Sequence, residues 1–215
     1  MSEIDSFIEE VTEEVRRDKL FAFLKKYGWI AVLAILGIVG GAAWTEWSRL
    51  QTERAAQGFG DALLTAVAAE DSLAALQGIA PDDASRAAVT RLLIAGQAQA
   101  SGDSAAAVTA LAAVAADASL PASLRELAQL KSVIVGGAEM NATERDAALA
   151  DLARPGAPYR LLAMEQQALV SLAAGDREGA VALLRQISAE AGLTPGLQQR
   201  ATELMVALGA EPEAQ

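Results

Sequence analysis

Acid–base or metal chemistry needs carboxylates that sit together, and two adjacent pairs stand out in this chain, Glu70-Asp71 and Asp82-Asp83. Each pair borders a turn signal, where a carboxylate commonly caps the first turn of a helix and stays solvated. Nucleophilic chemistry fares worse. Ser72, Ser104 and Ser171 have no histidine to activate them, because the chain contains neither His nor Cys. The same absence removes the usual zinc ligands, disulfides and thiolate chemistry. The Gly-Asp turns at Gly102-Asp103 and Gly175-Asp176 lack the spacing of a phosphate-binding loop. No catalytic constellation, cofactor site or metal site is expected, and the chain reads as a non-enzyme.

One further spacing concerns membranes. Gly37 and Gly41 form a G-x-x-x-G pair inside the run KKYGWIAVLAILGIVGGAAWTEW, Lys25 to Trp47, and such a pair lets two helix backbones approach closely in lipid. From Tyr27 to Thr45 there are 19 consecutive uncharged residues, close to the roughly 20 a helix needs to cross hydrocarbon. Tyr27, Trp29, Trp44 and Trp47 flank the run, as interfacial aromatics do. A cleaved signal peptide would carry a shorter apolar run nearer its start. The expectation is a transmembrane helix over residues 27–47, after a cytoplasmic amphipathic tail, 1–26, and before a periplasmic domain, 48–215. Orientation follows from the basic residues: Arg16, Arg17, Lys19, Lys25 and Lys26 precede the run, and only Arg49 and Arg54 follow it nearby. Lysine and arginine stay inside, so the N-terminus is expected in the cytoplasm. Within the tail, Ile4, Phe7, Ile8, Val11 and Val15 recur at helical spacing, either as a surface helix leading into the span or as a docking face.

The remainder must fold by packing alone. Residues 58–215 hold 10 basic and 19 acidic residues, a net charge of −9, which excludes nucleic acid and anionic lipid surfaces as partners. Alanine and leucine dominate, with few β-branched runs, so helix is expected throughout. Breakers at Pro81, Gly102-Asp103, Leu120-Pro121, Asn141, Pro155-Gly156-Ala157-Pro158, Gly175-Asp176 and Thr194-Pro195 leave segments of helix length, and Asn141 with Glu144 three places on has the spacing of a helix start.

Those segments repeat. GDSAAAVTAL, from Gly102, recurs as GDREGAVALL, from Gly175, 73 residues later, and the same shift lays Leu120 on Leu193, Leu124 on Leu197 and Ala128 on Ala201. Applied upstream it lays DSLAALQGIA, from Asp71, on ERDAALADLA, from Glu144. Acidic turn positions are thus expected at Asp71, Asp103, Glu144 and Asp176, 32, 41 and 32 residues apart, near the 34-residue period of tetratricopeptide repeats. Gly102 and Gly175 would end one helix in the left-handed conformation, and the following Asp would cap the next. Ala107 and Ala180 would allow close helix approach, and Leu111 and Leu184 would fill the space between.

These residues sit where a tetratricopeptide unit places its Gly-Asp turn, small Ala and large apolar residue, although Arg91/Met164 and Ala98/Ser171 replace the usual aromatics. From tail through span to Ala-rich repeats, the chain resembles the YfgM-type ancillary SecYEG translocon subunit family. PYRLLAMEQQALVSLAAGDREGAVALLRQI, from Pro158, and PGLQQRATELM, from Pro195, carry that resemblance most strongly. The fold class it implies is all-α: a single N-terminal transmembrane helix, then a tetratricopeptide-like superhelix of about four degenerate hairpins with a C-terminal capping helix, Pro195 to Gly209. It also implies an inner-membrane scaffold whose partners are the SecYEG translocon, periplasmic chaperones and newly exported chains. An adaptor of another envelope machine, for cell-wall synthesis or division, and a self-associating structural protein share the same pattern, and a homo-oligomer is compatible with it. Tyr159 and Arg160 could line a concave binding face, with packing as the alternative role for the tyrosine.

Overall fold

The structure, a computed structural model, describes the backbone of residues 2–210 and the side chains of Lys25, Lys26, Trp29, Ile30, Leu33 and residues 35–210. Two units compose the chain, residues 1–60 and 61–215. Among the described residues all regular structure is helical.

Helix α1 is Ser2–Val67. In the first unit its described apolar side chains are uncovered: Trp29, Ile30, Leu33, Ile35, Leu36, Ile38, Val39, Trp44 and Trp47 are all between 48% and 73% exposed. At 100° per residue these positions occupy the full circumference of the helix. Trp44 and Trp47 rest against each other with ring centroids 5.6 Å apart. Among the described residues, no helix is long and apolar enough to cross a membrane, so the structure gives the transmembrane helix expected over residues 27–47 no support. Tyr27, Gly28, Ala31, Val32 and Ala34 of that run, and the stripe from Ile4 to Val15, lie outside the residues whose side chains are described.

In the second unit, Leu63 and Ala66 are buried, and helices follow at α2 (Ser72–Gln77), α3 (Ala84–Ala100), α4 (Ser104–Ala115), α5 (Ala122–Gly136), α6 (Ala142–Leu152), α7 (Arg160–Ala173), α8 (Arg177–Ser188) and α9 (Pro195–Ala207). Each packs chiefly on its neighbours in sequence, from α2 on α3 through α8 on α9. That is the pattern of a repeat array, in which one unit meets only the next. Three full pairs, α3/α4, α5/α6 and α7/α8, stand behind a short leading α2, and α9 closes the series.

The repeat at 73 residues is visible in the helix limits, since α4 shifted by 73 gives α8 and the start of α5 gives the start of α9. One turn chemistry serves both copies. The amide of Asp103 donates to Ala98 O at 2.8 Å and that of Asp176 to Ser171 O at 2.9 Å, closing the preceding helix. Each Asp side chain then accepts from the third residue on, Ala106 N or Gly179 N, opening the next. Between the two jobs the chain must reverse within one residue, and Gly102 and Gly175 do so at φ +84° and +82°. A side chain there meets the left-handed penalty, so Gly175→Ala should lower stability by roughly 1–2 kcal/mol. Gly96→Ala, mid-helix with nothing within 4 Å of an added Cβ, should instead be neutral or raise it by roughly 0.5–1 kcal/mol. Urea titration of the two variants checks the sign reversal.

One turn departs from the expected register. Asp71 caps α2, and at the third position Asn141 is the cap, as its spacing to Glu144 indicates: its side chain accepts from Thr143 N at 2.9 Å and Glu144 N at 3.2 Å. Glu144 therefore lies inside the first turn of α6 rather than before it. Between α5 and α6 the chain passes through the 3-10 turn Gly137–Glu139, with Gly137 at φ +48°.

The core follows the same repeat. Ala95, Ala107, Leu111, Val114 and Ala128 form one cluster, and their equivalents Ala168, Ala180, Leu184, Ile187 and Ala201 form another. Leu130, Val133, Leu149, Leu152 and Ala163, from α5, α6 and α7, form a third.

Candidate functional site

Exposed apolar side chains are distributed unevenly over the array. From α3 onward the large ones are Val89 on α3, Ile134 on α5, Leu169 on α7 and Val206 on α9, whereas α4, α6 and α8 carry none among the described residues. Alternate helices thus present apolar surface, and the helices between them keep their large apolar residues inward.

The reason lies in the pairing. Helices α5, α7 and α9 pack on α6 and α8 rather than extensively on one another, so a groove of about 680 Å³ remains between them. Its floor is aliphatic: Leu130 and Ile134 from α5, Leu162 and Leu169 from α7, and Leu204 from α9. Ile134 and Leu169 are 49% and 38% exposed.

Polar groups on the groove wall hold one another. Glu165 on α7 is 5% exposed and receives two hydrogen bonds from Arg200 on α9, Nε to Oε1 at 2.7 Å and Nη2 to Oε2 at 2.9 Å. The carboxylate's hydrogen bonds push the Arg200 guanidinium above its ordinary pKa. Such a fork fixes distance and angle between two helices that otherwise touch little. Glu203, one turn along α9, accepts from the Gln199 amide at 2.8 Å.

A second clamp lies away from the groove. Arg154 joins Asp151 to the buried Glu126 of α5, and the hydrogen bond to Asp151 leads in raising the Arg154 pKa. Glu126 Oε2 and the neighbouring Arg125 Nε are buried without a hydrogen-bond partner. Where α4 ends, Ser119 donates to Asp117 through its hydroxyl at 2.6 Å and its amide at 3.0 Å, holding that carboxyl below the usual range.

None of the site residues named from sequence lines this groove, although the stretches from Pro158 and Pro195 supply much of its wall. Gly102, Asp103, Ala107, Gly175, Asp176 and Ala180 build turns and helix contacts; Ala107 and Ala180 are 0% and 1% exposed. Gly37 and Gly41 lie on α1 with nothing within 4 Å of an added Cβ. Tyr159 is half-buried against the cluster around Leu130 and Leu149, and Arg160 pairs with Glu190 at 2.7 Å, so neither faces the groove. Asp71 and Asp83 cap α2 and α3, and Asp82 pairs with Arg86 at 2.5 Å. No group of three or more acidic, His or Cys residues able to hold a metal occurs among the described residues.

Sequence reading missed the groove because Leu162 and Leu169 look like any other apolar residue of an amphipathic stripe. The available signal was width: α7 has apolar residues at Leu161, Leu162, Ala163, Met164, Ala168, Leu169 and Val170, more than one buried face uses.

A family model described as a tetratricopeptide repeat-like domain matches residues 22–186. No curated protein and no solved structure matches the chain.

Proposed function

This chain belongs to the tetratricopeptide repeat-like domain family, and on that premise we propose that it works as a protein-binding scaffold tethered to the inner membrane, with its repeats in the periplasm. Within that reading it is an ancillary subunit of the SecYEG translocon that passes exported chains to periplasmic chaperones. It acts by binding and not by catalysis.

The observation that carries the scaffold is the one-sided apolar surface, since helical arrays bind partners along such a face. Support for the tether comes from the sequence, in the 19 uncharged residues of Tyr27 to Thr45 and the tryptophans at the two ends of that run. Water opposes leaving that much aliphatic and indole surface uncovered, at roughly 25 cal/mol per Å². Five basic residues before the run against two after it favour the N-terminus inside. A tether confines the array to a thin layer beside the membrane and raises its effective concentration for partners there. The translocon and chaperones as partners rest on the sequence resemblance.

Copurification tests the reading. The full chain, extracted from membranes in mild detergent and analysed by mass spectrometry, should bring down SecY-type subunits and periplasmic chaperones, and should resist carbonate extraction. Subunits of cell-wall synthesis or division machinery in their place would move it to another envelope machine. Recovery of its own copies alone would make it a self-associating structural protein.

A further inference from the structure

The groove between α5, α7 and α9 has a selective chemical character. Its floor is aliphatic, and its one buried carboxylate, Glu165, is neutralised within the chain by the two bonds from Arg200. Glu203 is different: it accepts from the uncharged Gln199 amide and enters no ion pair among the described residues. The unit as a whole is acidic too, residues 61–210 carrying 17 acidic and 10 basic side chains. An occupant therefore meets aliphatic contacts below and unneutralised negative charge at the rim.

The occupant's backbone is constrained as well. The walls are helices, whose amides and carbonyls are already bonded internally, so no strand edge is available to pair with an extended chain. An extended chain gains no backbone pairing from these walls, whereas a helix arrives with its backbone groups already bonded and one face free to be apolar.

Resting on the scaffold reading above, we infer that this groove takes an amphipathic helix of a partner polypeptide, its aliphatic face against Ile134 and Leu169 and a Lys or Arg of that helix against Glu203. The complementary charge provides orientation and rejects acidic helices.

The chain contains no cysteine, so Val206→Cys places a single environment-sensitive dye beside the groove, at a residue that is 59% exposed and not part of its lining. The full chain in detergent is titrated with helical model peptides of about 18 residues bearing leucines at i, i+4, i+7 and i+11. One has lysine on its remaining face, one has glutamate, and one is the lysine peptide scrambled to remove its apolar face. The lysine peptide should saturate the dye response with a Kd at least about tenfold below either control. Leu169→Glu should weaken it by at least about tenfold, as should Ile134→Glu, and both sites are exposed enough to keep the fold. Glu203→Lys should transfer the preference to the glutamate peptide.

Equal responses to the two charges, insensitivity to Leu169→Glu and Ile134→Glu, or no saturable response would overturn the assignment. So would a dye response to unlabelled copies of the chain that outcompetes the peptide, which would put a second copy in the groove. If membrane partners still copurify while the peptide response fails, the occupant is wrong and the scaffold reading stands. If the peptide binds as described while no envelope partner copurifies, that reading fails and the groove assignment survives.

Discussion

Truncation of Leu111 to alanine should lower the free energy of unfolding by roughly 4–5 kcal/mol, and the same truncation of Leu184 by roughly 2–3 kcal/mol. The two leucines are equivalent in the 73-residue repeat and equally buried, at 0% and 1% exposed. Burial alone would give equal losses. What separates them is the company each keeps. Leu111 shares its cluster with Ala88, Ala95, Ala98, Ala107 and Ala128, and alanine has no rotamer through which to enter a vacated space. The larger neighbours, Val114 and Leu120, are branched and few, so closing the gap falls mostly to helix backbones already packed through methyl groups. Around Leu184 the equivalents of Ala88 and Ala98 are Leu161, which packs against the cluster, and Ser171, while Met164, Met205 and Ile187 bring long side chains. Methionine, with three rotatable bonds, adapts to irregular gaps. The residual cavity, which sets the spread among buried leucine truncations, should therefore be larger in the first copy. Urea unfolding followed by far-UV circular dichroism measures both, and equal losses would refute the argument from neighbours.

The contrast between those two clusters also explains what could be read from the sequence. Gly102-Asp103 and Gly175-Asp176 announce themselves, because few residues satisfy a left-handed helix end and a following cap, and the pair stands out even in an alanine-rich chain. The all-helical fold and its repeat character follow from them. At Asn141 two signals differed: the 73-residue shift pointed to Glu144, whereas the Asn141-to-Glu144 spacing of a helix start pointed to Asn141, and the local capping chemistry is what the structure follows. The groove was not legible at all, for a physical reason. Whether Leu169 is covered depends on how far α5 and α9 stand from α7, and that distance is set by α6 and α8 filling the space behind. A difference between the copies can be read only after the fold is known: Glu126 and Leu130 on α5 are replaced at the 73-residue shift by Gln199 and Glu203 on α9, which bond to each other at 2.8 Å. Val133 keeps an apolar equivalent, Val206, and it is 59% exposed.

The second large effect should fall on the Glu165–Arg200 fork, and it should be lopsided. Arg200→Met is expected to cost roughly 3 kcal/mol, because it strands a carboxylate that is 5% exposed, and removing one partner of a buried pair leaves an uncompensated charge. Glu165→Gln is expected to cost roughly 1 kcal/mol, since the Arg200 side chain is half exposed and water can solvate the guanidinium left behind. If the pair contributed a simple attraction the two losses would match. The double replacement Glu165→Leu with Arg200→Leu should come within roughly 1 kcal/mol of the parent chain, as happens when a buried pair gives way to apolar side chains of similar size. The three values, taken from denaturant unfolding, separate the worth of the bond from the penalty of breaking it; a loss on Glu165→Gln as large as that on Arg200→Met would sink the account. The double variant then bears on function. It keeps stability but gives up the fork that fixes α7 against α9, so any loss of binding it shows reports on groove geometry and not on folding.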